Sequence, residues 1–224
     1  MKKFLVATGL MCGLVMAGAA AAADTQAVDL LGKLEAKYAS VQTVSGSFVQ
    51  VRDDKAFGEK MTSTADFYLL KPNNFRAEYQ APDESVNLIS GEFSYRYVPK
   101  LQQVERYRFR NSGTARDLNF MLLGFGVRTD DVLKSYSVQY VSNAGSGRVG
   151  VRLTPRNPQD AAFKHIIVAV DAKTFVPEQF SMEQLDGVTV TATLQGASLK
   201  IGAPIDKAKF VPRWPRNAEV VDIQ

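Results

Sequence analysis

The chain has 224 residues, 46% hydrophobic and 22% charged, with one cysteine, one histidine, one tryptophan and a formal charge of +4. This is the composition of a globular protein, at a length most simply organised as one domain. So small a positive balance gives no ground for nucleic-acid binding, and a single cysteine and histidine exclude zinc and copper sites of usual composition.

The N-terminus reads as an export signal. Lys2 and Lys3 precede an apolar run from Phe4 to Met16 that passes into small residues ending at Ala21-Ala22-Ala23, the pattern a signal peptidase cleaves. The run is short for a bilayer span. Cleavage of residues 1–23 leaves a single domain over 24–224, starting at Asp24. Loss of Lys2 and Lys3 leaves 25 basic against 23 acidic residues, a charge of +2. Cys12 follows Met11, where an acylated cysteine needs a small neighbour, so no lipid anchor is expected there. The mature chain then has no cysteine and no disulfide, and burial must supply its stability.

After the cut, Ala27, Leu31, Leu34, Tyr38 and Val41 recur at steps of three or four while Asp29, Lys33, Glu35 and Lys37 fall off that stripe. The spacing predicts an amphipathic helix whose apolar face needs a partner. From Ser45 the period becomes two. The segments SGSFVQVR, TADFYLL, NFRAEYQ, ESVNLIS, FSYRYV and QQVERYRF, parted by Pro72, Pro82, Gly91 and Pro99, read as consecutive antiparallel strands. In TARDLNFMLLGF, Leu118, Met121, Leu122 and Phe125 return to helical spacing, and TDDVLKSY supplies a cap and another short helix. Strands resume with SVQYVS, RVGVRLTP, KHIIVAVD, PEQFSMEQLD and VTVTATLQGASLKI; Asp186-Gly187 is a hairpin signal. About eleven strands and three helices follow.

Catalytic chemistry finds little support. His165 lies in a strand-like run, no Gly-x-Ser-x-Gly elbow accompanies it, and Asp53-Asp54, Asp83-Glu84 and Asp130-Asp131 stand at turns or a helix start, where carboxylates cap backbone donors. No catalytic residue, metal or cofactor is expected. The rings are the stronger signal. Phe93, Tyr95 and Tyr97 share one strand face, with Ser94, Arg96 and Val98 opposite; Tyr107 and Phe109 likewise oppose Arg106, Arg108 and Arg110. The sheet is thus expected to have a ring-rich face and a basic reverse. Such rings suit an ordinary buried face. They also suit a lining, because about eleven strands make a barrel or half-barrel wider than side chains alone fill. Alternation leaves open which face is concave.

LLGKLEAKYASVQTVSGSFVQ, ADFYLLKPNNFRAEYQAPDESVNLISG, RLTP, EQFSMEQLDG and the closing KFVP together resemble the LolA family of periplasmic lipoprotein carriers, over nearly the whole mature chain. The resemblance implies a mainly β fold: an unclosed antiparallel β-barrel with a helical lid over a concave hydrophobic face. It implies a non-enzymatic, monomeric carrier that accepts acylated lipoproteins from an ATP-driven inner-membrane release complex and passes them to an outer-membrane receptor. Phe75, Tyr79, Leu88, Phe93, Tyr95 and Tyr97 are then the candidate lining. Leu31, Leu34, Met121, Leu122 and Phe125 are candidates for the lid, and Lys71 for its latch. At Lys71 the family carries an arginine that holds the lid through backbone hydrogen bonds; a lysine lacks the planar fork, which leaves a weaker or differently arranged latch. Ala77 and Ser90-Gly91 depart from the family pattern as well. Carriage of another lipid or glycolipid, or a sensor role on the same fold, are the alternatives.

Overall fold

The computed structural model describes residues 24–108, 123–161 and 163–223. Helix α1 (Thr25–Tyr38) starts where Asp24 Oδ1 accepts the backbone N–H groups of Gln26 and Ala27, at 3.0 and 3.2 Å, satisfying donors that a helix start leaves open. Its stripe of Ala27, Leu30, Leu31, Leu34 and Tyr38 is buried, as the spacing predicts. Strands β1 (Thr43–Asp54), β2 (Glu59–Leu70), β3 (Asn74–Tyr79), β4 (Ser85–Ser90), β5 (Phe93–Val98) and β6 (Gln103–Arg108) follow as a meander. After helix α2 (Thr129–Ser135) come β7 (Tyr136–Val141), β8 (Arg148–Pro155), β9 (Phe163–Asp171), β10 (Pro177–Gln184), β11 (Thr189–Leu194), β12 (Lys200–Ile201) and β13 (Glu219–Ile223).

All belong to one 13-stranded sheet in the order β13-β6-β5-β4-β3-β2-β1-β11-β10-β9-β8-β7, with β12 beside β1. Among the described strands only β13, parallel to β6, breaks the antiparallel pattern. The outer strands β13 and β7 are not joined, so the barrel is unclosed. The two strands beyond the expected eleven are β12, set off from β11 by a 3₁₀ turn at Gly196–Ser198, and the five-residue β13. Asp186-Gly187 makes the expected tight turn, with Gly187 at φ +92°, a conformation glycine adopts without cost. The helix expected around Leu118 to Phe125 lies largely outside the described residues.

One helix reaches across most of this sheet. Asp24 Oδ2 accepts the N–H of Tyr140 in β7, at 2.9 Å, while the other end of α1 meets Lys71, just after β2. Those strands stand six spacings apart in the sheet order, roughly 29 Å if flat, whereas a 14-residue helix is about 21 Å long. The sheet is therefore curled around α1, and the face under the helix is the concave one. Leu123, Phe125 and Val132, from the stretch leading into β7, pack into the same core as α1.

Candidate functional site, an apolar face under a tied cover

Alternation and register together define the concave face. Phe75, Ala77 and Tyr79 of β3 stand opposite Leu69, Phe67 and Ala65 of β2, and Phe48 of β1 opposite Ala65 and, on its other side, Leu194 of β11. The lining continues through Phe180, Ile166, Val168, Val151, Leu153 and Val138 to the far edge. Rings meet in offset and edge-on pairs: Phe48 lies 6.1 Å from Phe67 and 5.8 Å from Tyr79, centroid to centroid. Such pairing adds to the burial itself. The Tyr79 hydroxyl donates to Gln50 Oε1 at 2.9 Å, and burial pushes its pKa up to about 12.

The cover is α1 together with residues 123–135. Leu31 and Leu34 point into the core, at 4% and 1% exposure. Phe125, fully buried, sets its ring edge-on to Tyr38 at 5.6 Å and 6.5 Å from Phe180. Gly126 allows this crossing. Its φ is +86°, and a Cβ there would sit 2.9 Å from that of Tyr38. Met121 and Leu122, also expected in the lid, lie outside the described residues. Beside α1, a groove of about 290 Å3 is lined by Leu30, Tyr140, Val149, Ala172 and Phe175 together with the polar Gln26, Asp29 and Lys33.

Polar ties fasten the cover at both ends and in the middle. Lys71 Nζ donates to the Tyr38 carbonyl at 2.9 Å, an oxygen that also accepts from Val41 N–H. A cation there complements the C-terminal end of the helix dipole; burial pushes the Lys71 pKa down. Tyr38 donates its hydroxyl to the Phe175 carbonyl, and Lys37 its ammonium to the Thr174 carbonyl. Helix α2 has no side-chain cap at its own Arg128; Glu35 Oε2 of α1 accepts its first N–H, at Thr129, over 2.9 Å.

These ties make the cover acid-sensitive. The Tyr140 N–H holds the Asp24 carboxyl below its ordinary pKa, and the Thr129 N–H does the same for Glu35. With folded pKa values below the unfolded ones, both contributions are complete above the ordinary carboxylate range, about pH 4, and disappear as pH falls through the lowered values. Protection of the α1 amides, corrected for the pH dependence of intrinsic exchange and measured from pH 7 downward, should thus be flat until about pH 4 and then fall ahead of that of the strands. A loss of protection centred near pH 6.5 would point elsewhere, to a histidine.

Four of the expected lining residues face the other way. Phe75 pairs with Ile89 and Arg76 with Leu88, and Leu88 in turn pairs with Tyr95, so Leu88, Phe93, Tyr95 and Tyr97 lie on the convex side. There Leu88 is fully buried and the indole of Trp214 packs 5.9 Å from Tyr95 and 5.5 Å from Tyr97. Arg76 donates to the Lys209 carbonyl, so the C-terminal segment straps this face. The expected separation of rings from arginines fails for the same reason. Phe93 opposes Arg108 and Tyr95 opposes Arg106, and both guanidinium groups sit over the Phe93 ring, at 5.2 Å for Arg106 and 5.8 Å for Arg108. Arg106 is further held by a two-pronged pair with Asp222 of β13, at 2.5 and 2.7 Å. Phe75 and Tyr79 alone of the six expected lining residues stand under the cover.

Beyond Ala77 the concave face turns polar. Asn87, Arg96 and Glu105 follow it in one cross-strand row over β4, β5 and β6. Glu105 Oε2 accepts the Tyr107 hydroxyl at 3.2 Å and lies 3.5 Å from Arg96. Asn87 Oδ1 is buried and accepts no hydrogen bond from the described residues. Neither this row nor the Glu35 tie has a signature in the sequence: each is a polar residue in an ordinary alternation. The segment of Trp214, the only tryptophan, carries no periodicity that would announce its packing.

Among the described residues no helix is long and apolar enough to cross a membrane. The family described as outer membrane lipoprotein carrier protein LolA matches residues 39–212. An outer-membrane lipoprotein carrier protein of Serratia proteamaculans is 26% identical over 212 residues, covering 95% of each chain. One from Yersinia enterocolitica is 26% identical across 99% of this chain and 98% of its own. Among solved structures, an uncharacterized conserved protein from Thermus thermophilus superposes with a TM-score of 0.50 at 13% identity, over 87% of this chain and 98% of that one, a likeness of fold alone. With a curled, unclosed sheet, a helical cover, and a family match running from the end of α1 to beyond Phe210, the chain belongs to the LolA family of outer membrane lipoprotein carrier proteins.

Proposed function

We propose that this protein is a periplasmic, non-enzymatic carrier that takes up the acyl chains of lipoproteins between α1 and the curled sheet. It receives them from an ATP-driven inner-membrane release complex and yields them to an outer-membrane receptor. Residues 1–23 are its cleaved export signal, and 24–224 act as one monomeric domain. The observation that carries this reading is the cover: an apolar helix face laid over an apolar sheet face and fastened at its ends by hydrogen bonds to backbone groups. Burial of a methylene is worth about 0.8 kcal/mol, so an acyl chain of common length costs on the order of 10 kcal/mol to bring through water bare. A face that α1 shields when empty and a lipid shields when α1 lifts removes that cost. Transfer onward requires a receptor of higher affinity and no chemistry.

The test is release. Mature protein is incubated with spheroplasts making a labelled lipoprotein, and the soluble fraction is assayed for a complex. Label in that fraction supports the reading; label confined to the membrane, with another lipid recovered from the protein, replaces it by carriage of that lipid. Trp214 supplies a second readout. Being on the convex side, its fluorescence should stay unchanged on cargo uptake, and a large blue shift would mean that the convex rings take the lipid.

A further inference from the structure

The apolar concave face ends abruptly. Ala77, 1% exposed, is the last apolar residue of its cross-strand row, and Asn87 is its direct neighbour, followed by Arg96. A sheet that merely continued its core would place an aliphatic side chain at 87. Instead a carboxamide oxygen is buried there without a donor among the described residues, which lowers stability unless something else supplies the missing N–H. Arg96, its cross-strand partner, keeps its side chain 55% exposed and holds Glu105 only at 3.5 Å. Among the described residues the row therefore presents an unfilled acceptor next to an incompletely engaged donor. Two such groups on adjacent strands, with Cβ atoms about 5 Å apart, match the N–H and C=O of one amide.

We propose, building on the carrier reading, that Asn87 and Arg96 form a polar subsite that recognises an amide at the head of the acyl chains, with Asn87 Oδ1 accepting its N–H and Arg96 donating to its carbonyl. An N-acylated cysteine offers such an amide; the diacylglycerol part of a phospholipid offers ester carbonyls but no amide N–H beside them. Glu105 works in the same direction, because its carboxylate beside Arg96 disfavours a phosphate there. The row selects an acylated peptide N-terminus over a phospholipid, while the rings of β1 to β3 take hydrocarbon from either.

The experiment is displacement of an environment-sensitive apolar dye from the mature protein by a synthetic triacylated lipopeptide and, separately, by a short-chain phosphatidylcholine, which has no hydrogen-bond donor. Wild type is compared with Asn87→Leu, and with Asn87→Val if leucine does not fit. Removing an unfilled buried acceptor should leave the melting temperature unchanged or raised, so a folded variant is expected. Lipopeptide affinity should fall roughly tenfold, the worth of about one good hydrogen bond, with phosphatidylcholine affinity unchanged. An unchanged ratio of the two affinities, or an equal fall in both, overturns the subsite and leaves the carrier reading standing. Wild type that binds neither lipid overturns both.

Discussion

Replacing Phe125 by alanine should cost roughly 3–5 kcal/mol, the usual penalty for emptying a fully buried phenylalanine site. The ring is 0% exposed, set against Tyr38 of the cover and Phe180 of the sheet. How that loss is distributed matters more than its size. If α1 and residues 123–135 are a separable cover, the cost falls on their docking. Native-state amide exchange should then speed up in α1 while β1, β2 and β9 keep their protection. The exposed concave face should also bind an apolar dye without the lag of a closed state. A uniform loss of protection, helix and strands together, would show that α1 is an inseparable part of one cooperative core. The cover would then not lift, and the carrier reading would lose its mechanism.

Lys71→Met probes the same equilibrium at the hydrogen bond to the end of α1. The substitution keeps the aliphatic stem and removes the charged donor to the Tyr38 carbonyl. Hydrogen bonds from charged donors are worth about 1.5–3 kcal/mol. Two features reduce that here: Val41 N–H still serves the same oxygen, and removing the partly buried ammonium also removes its desolvation cost, the cause of its lowered pKa. A net loss of about 1–2 kcal/mol remains, equivalent to a roughly tenfold larger open population. Exchange at the C-terminal turn of α1 should increase by that factor, and Lys71→Arg, with its larger set of donors, should restore it. Unchanged exchange in Lys71→Met would mean that the bond to Tyr38 holds nothing closed.

Much of this architecture is legible in the sequence because it rests on periodicity. The step of three and four from Ala27 to Tyr38 gives α1 and its buried face, and the alternation from Ser45 onward gives the strands. What alternation cannot carry is the relation between one strand and the next. Phe75 and Phe93 look alike within their own strands, yet the connection at 80–84 pairs Tyr79 with Ser85, residues of equal parity, while the turn at 91–92 pairs Ser90 with Phe93, residues of opposite parity. One such switch sends Phe93, Tyr95 and Tyr97 to the convex side, and a second, at the turn that pairs Val98 with Gln103, brings Arg106 and Arg108 beside them. Strand β13 is short and pairs in parallel with a distant segment, so nothing local announces it. Lys71 stands out only through the family resemblance; the group it meets, the Tyr38 carbonyl, is of a kind every residue has.

The gap between β13 and β7 has a mechanical meaning. In a closed barrel, strand number and stagger dictate the radius, and any widening must break a ladder of bonds. A ribbon with two loose ends can tighten or relax its coil by small changes in twist spread over all its strands, every inter-strand bond being kept. The radius of the curl is thus an elastic quantity, fixed by no stagger, and on the carrier reading it would let one protein adjust to cargo of unequal bulk without unfolding any part of itself.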